Sequence, residues 1–77
     1  MRTVVQNETN VSIHLFGDDD GTTLEHDGVY RAGENLDPNY TAENATIQTV
    51  ETFPEDWYGS AYLLVGGQWE PNPNKPA

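Results

Sequence analysis

The chain has 77 residues, 13 Asp and Glu against 3 Lys and Arg, a formal net charge of −10 and no cysteine. That length suits one small domain, which buries only about 60% of the surface its unfolded chain exposes. The absent cysteine excludes disulfides, thiolate zinc sites and thiol catalysis, and the charge disfavours nucleic acid and anionic lipid as partners.

In chain order, Met1-Arg2-Thr3-Val4-Val5-Gln6-Asn7 turns polar before an apolar signal core develops, and no later run approaches the roughly 18 apolar residues of a membrane span. A soluble protein made in a cytoplasm is expected. The sequons at Asn7, Asn10, Asn39 and Asn44 are then read as unglycosylated. Thr3-Val4-Val5 reads as a short strand. Residues 11–16 alternate, with Val11, Ile13 and Leu15 on one side and Ser12, His14 and Phe16 on the other. Gly17-Asp18-Asp19-Asp20-Gly21 is a loop whose carboxylates suit a hard cation. The EF-hand pattern fails there, because aligning Gly21 with its glycine puts Phe16 at the first ligand position. A solvated acidic loop is expected, with calcium left open.

Residues 22–26 and 29–31 flank Asp27-Gly28, a hairpin signal of the type I′ kind. Residues 32–44 are polar, hold Gly33 and Asp37-Pro38, and read as a long connection. Residues 45–51 read as another strand. Pro54, Glu55, Asp56 and Trp57 suit a single helical or 3₁₀ turn, since Pro fits a first helical position and carboxylates favour a helix N-terminus. Tyr62-Leu63-Leu64-Val65, Gly66-Gly67 and Gln68-Trp69-Glu70 form a second hairpin signal, with Tyr62, Leu64 and Trp69 on one side. The tail from Pro71 to Ala77 is expected to be extended and to lie on another chain, because proline cannot pair in a central strand.

The expected fold is therefore mostly β: a small single-domain antiparallel sheet or sandwich of about five to six short strands. One helical turn lies near Pro54 to Trp57, and the domain, residues 1–70, is followed by the proline-rich tail, residues 71–77. No catalytic, metal or cofactor residue is assigned. Ser12 and His14 share a strand face in this reading, but neither serine sits in a nucleophile elbow, and Glu55 with Asp56 could do acid–base work only in a pocket. The candidate partner-binding residues are Trp57, Tyr58, Tyr62, Trp69, Pro71 and Pro73. Trp and Tyr dominate interface hot spots, and these also supply the core of a small domain.

The stretch from Thr3-Val4-Val5-Gln6-Asn7-Glu8-Thr9-Asn10-Val11-Ser12 to Leu15-Phe16 resembles the start of small uncharacterised proteins encoded by marine tailed phages, especially those of cyanobacteria. So do Asn44-Ala45-Thr46, Pro54-Glu55-Asp56-Trp57-Tyr58-Gly59 and Trp69-Glu70-Pro71-Asn72-Pro73. The stretch from Asp18 to Tyr40 departs from that pattern. The resemblance implies a non-enzymatic virion accessory, capsid-decorating or tail-associated, outside the DNA compartment. Its partners would be other phage structural proteins or copies of itself. The alternative is an acidic phage-encoded inhibitor that mimics nucleic acid or caps a basic host protein.

Overall fold

The computed structural model describes residues 1–31 and 35–75. They form eight short antiparallel strands and no helix: β1 Arg2–Gln6, β2 Ser12–Phe16, β3 Thr23–Glu25, β4 Gly28–Arg31, β5 Asn35–Asp37, β6 Ala45–Thr49, β7 Tyr62–Val65 and β8 Gln68–Pro71. The mostly-β fold is as the sequence leads one to expect. The strands are divided, however, among three small sheets, ordered β2-β1-β6, β3-β4-β5 and β7-β8.

The organising strand is β1. Thr3, Val4 and Val5 are 0%, 0% and 1% exposed, so both faces of this strand are covered. Successive residues of a strand point to opposite faces. Val4 accordingly joins Phe16, Val29 and Ala45 in one core, against which Leu24, Tyr40 and Ile47 pack. Val5 joins Val50 and Leu64 in a second, with Met1 and Trp69 packed on it. The sheet containing β1 is thus a middle layer: β3 and β4 cover one face, and the β7–β8 hairpin covers the other.

Pairing between β1 and β2 skips a residue. Val4 faces His14 and Val5 faces Ser12, leaving Ile13 as the extra residue of a β-bulge. This corrects the simple alternation expected over residues 11–16. Ser12 turns to the face of Val5 and Thr3 instead of sharing one with His14. Phe16, and not the Val11-Ile13-Leu15 set alone, anchors β2 in a core.

Two further expectations are revised, and the single turn expected at residues 54–57 is found. Glu25 pairs with Gly28, so the first hairpin turns at His26-Asp27, one residue before the expected Asp-Gly. The role of Gly28 is instead a close approach: at φ 141° its Cα lies against the Asp37 carbonyl and Pro38. The connection expected over residues 32–44 contains β5, paired with β4 from Val29–Asp37 to Arg31–Asn35, while residues 32–34 lie outside the described ones. Residues 54–57 close one hydrogen-bonded turn, Trp57 N–H to Pro54 C=O at 3.1 Å, and no helix follows. The second hairpin is as expected: Gly66 and Gly67 have φ of 58° and 82°, and Leu64 faces Trp69.

The tail is not a free extension. Asn72 is 8% exposed. Its backbone N–H donates to Ala61 C=O at 3.0 Å. Its side chain donates to Ser60 C=O at 2.7 Å and accepts from the Asn74 N–H at 3.0 Å. A buried carboxamide thus fastens the chain end to its own body, where an extended segment on another chain was expected. Pro76 and Ala77 lie outside the described residues.

Two glycines should respond differently to substitution. Gly28→Ala places a Cβ into the Asp37 backbone carbonyl, with no flexible side chain to yield. It should cost about 3 kcal/mol or more. Gly66→Val meets open space and carries only the left-handed backbone penalty. That is about 1–2 kcal/mol. Urea denaturation of both variants checks the order; equal midpoints would remove the close-approach role of Gly28.

Candidate functional site

Burying Thr3 and Ser12 completely obliges their hydroxyls to find partners. They do so in one directed chain. The Trp57 indole N–H, which can only donate, bonds Ser12 Oγ at 3.0 Å. Ser12 Oγ and Thr3 Oγ1 lie 2.5 Å apart. The Thr3 hydroxyl donates to the His14 carbonyl, which can only accept, at 2.7 Å. Both ends being fixed, the Ser12 hydroxyl must donate to Thr3. The relay ties the turn at residues 54–57 to β1 and β2, and the Ser60 N–H adds a bond to Ser12 C=O at 2.9 Å.

The same segment is strapped to the β7–β8 hairpin at two points. The Trp69 indole N–H donates to Thr52 C=O at 2.7 Å. The Tyr62 hydroxyl donates to Asp56 Oδ1 at 2.7 Å. The Tyr62 and Trp69 rings meet edge to face, 6.4 Å between centroids. The hydrogen bond to Asp56, followed by burial and the Asp56 charge, raises the Tyr62 phenol above its ordinary value.

Of the candidate partner residues, Trp57, Tyr62 and Trp69 are half-buried and spend their polar atoms within the chain. Tyr58 is 43% exposed, and Pro71 and Pro73 are exposed. Two exposed apolar residues escape the sequence reading: Phe53, 43% exposed, and Val65, 39%. Val65 was findable, since alternation in β7 turns it outward once Leu64 points inward. Phe53 had no local signal. Phe53 and Tyr58 lie on the segment that the relay and the two straps hold against the hairpin.

The other chemistries fare as follows. Asp18 pairs with the N-terminal ammonium at 3.2 Å, and Asp20 accepts a bond from the Thr22 hydroxyl at 3.3 Å. Among the described residues no three His, Cys, Asp or Glu are gathered to hold a metal. His14 Nε2 lies 3.0 Å from Asp37 Oδ2, with Tyr40 edge-on to the imidazole. Ser12, the serine nearest to His14 in sequence, is turned to the opposite face by the bulge and engaged in the relay. A separate open groove of about 300 Å³ runs between β1, β2, β7 and the chain end, lined by Gln6, Ile13, Tyr40, Ser60, Leu63 and Asn74 among others. No family model, curated protein or solved structure matches the chain.

Ser12→Ala leaves the Trp57 N–H and the buried Thr3 oxygen each short of a partner, and should cost about 1–3 kcal/mol. In a double-mutant cycle with Trp57→Phe the losses should fall short of additive. Additive losses in urea denaturation would mean that the two residues are not coupled.

Tyr62 gives a pH test. Its phenol is raised in the fold, so its contribution is complete below the ordinary phenol value near 10 and is lost as pH rises through the higher folded value. In an ultraviolet tyrosinate titration the Tyr62 phenol should ionise late and return to the ordinary range in Asp56→Ala. An unchanged titration in that variant would exclude Asp56 as the cause.

Proposed function

We propose that this chain is a non-enzymatic interaction protein acting by surface complementarity, an accessory component of a tailed-phage particle. The observation that carries the reading is a pair of large apolar side chains, Phe53 and Tyr58, each 43% exposed on a segment pinned by half-buried indoles. Exposed aromatics on a fixed support lose little entropy when a partner covers them. A chain of this size and without cysteine also gains stability from association. Its net charge of −10 steers it away from packaged DNA and is screened in salt water, where the Debye length is a few Å at about 1 M. The resemblance of its terminal segments to marine tailed-phage proteins supplies the particle.

Co-sedimentation with purified particles tests this. Wild type should pellet with particles at high salt, and the double variant Phe53→Ser, Tyr58→Ser should stay in solution while a cooperative melt shows that it remains folded. Deleting residues 71–77 is the wrong probe, because it removes Asn72 from the fold. Binding that survives the double variant but falls steeply with salt would favour the acidic-inhibitor reading instead.

A further inference from the structure

We propose that the groove between β1, β2, β7 and the chain end binds one ring of a neutral saccharide. The inference is independent of the particle reading above and uses different residues.

None of the described lining residues is charged, although the chain carries 13 carboxylates and 3 cationic side chains. Neither a cationic nor an anionic ligand would find a counter-charge among them. The occupant is therefore neutral. The groove lining combines apolar residues, Val11, Ile13 and Leu63, and Tyr40 with residues that carry amide and hydroxyl groups. The Gln6 Oε1 accepts the Thr9 hydroxyl at 2.6 Å, which leaves its amide N–H groups to point elsewhere. The Ser60 hydroxyl and the Asn74 carboxamide make no hydrogen bond to the described residues. Donors and acceptors beside apolar and aromatic residues match a sugar ring, whose hydroxyls are polar at the edge and whose C–H groups are apolar on the face. A volume of about 300 Å³ is at the small end of ligand sites and suits one ring.

A second observation marks the same place. Ser60 has φ 67°, a conformation that glycine adopts without strain and serine does not. It is held there from both sides, by its N–H on Ser12 C=O and by its C=O on the Asn72 carboxamide. The fold thus tolerates a strained residue whose hydroxyl serves no internal bond and lies on the groove wall. Retained strain of this kind points to a site.

The test is an NMR titration of isotope-labelled full-length protein with methyl glucoside, methyl galactoside and N-acetylglucosamine. At least one should shift the backbone amides of Gln6, Ser60, Leu63 and Asn74, with a dissociation constant of about 1–10 mM. Glucuronate and glucosamine should bind at least several-fold more weakly. Ser60→Gly removes the hydroxyl while relieving the backbone, so it should keep or raise the melting temperature and weaken the sugar several-fold. Three results would each overturn the proposal: no shift from any neutral sugar at about 100 mM, equal binding by glucuronate, or undiminished binding in Ser60→Gly. The same amides responding only to an uncharged capped tripeptide would make the groove a peptide site and would overturn it too.

Discussion

The structure depends on the burial of β1 on both faces. A strand covered on both sides must bring an apolar residue to each core, which Val4 and Val5 do. It must also satisfy whatever polar group it carries inside. Thr3 is that group, and its hydroxyl is satisfied only because the bulge at Ile13 turns Ser12 onto the same face. The requirement then passes outward. Ser12 takes the Trp57 indole, Trp57 fixes the turn at residues 54–57, and the neighbouring segment meets the hairpin through Thr52 and Asp56. A hydroxyl at the centre of the molecule thereby determines where Phe53 and Tyr58 stand at its surface.

Neither core is large. A fully buried Val or Leu side chain contributes about 1.5–3 kcal/mol, and among the described residues one cluster has four buried members and the other three. The two cores are coupled through β1, with β2 paired along one edge and β6 along the other. Met1 reinforces the β1 end, its carbonyl accepting the Val50 N–H at 2.8 Å and its ammonium meeting Asp18. Such a domain has little stability to spare. A partner that covers exposed apolar groups, or a ligand that fills the groove, adds to it by mass action.

The polar interior also fixes three of the aromatics. The indole N–H groups of Trp57 and Trp69 both end on internal acceptors, and the Tyr62 hydroxyl ends on Asp56. These rings build the platform; Phe53 and Tyr58 stand on it. Asn72 plays the corresponding part at the chain end. Its bonds to Ser60 and Ala61 help form the wall of the neutral groove and hold Ser60 in its unusual conformation.

The residues alone determine what rests on local chemistry. The Gly66-Gly67 turn follows from the positive φ that both positions adopt, and its register put Leu64 opposite Trp69 before any packing was known. The β character of residues 11–16, 45–49 and 62–65 follows from their β-branched and apolar content. The candidate site was legible in part: the aromatic third was identified, but not which of its rings face outward. Tertiary structure decided the rest. β1 is the central strand, yet residues covered on both faces do not alternate, so nothing local marks its position as central. The bulge that separates Ser12 from His14 exists only in the pairing with β1. β5 holds Asn35 and Asp37, poor strand formers recruited by the free edge of β4. The tail is held because the carbonyls of Ser60 and Ala61, distant in sequence, lie where Asn72 can reach them. In each case the deciding contact joins groups far apart along the chain, and its free energy exists only once the sheets are stacked.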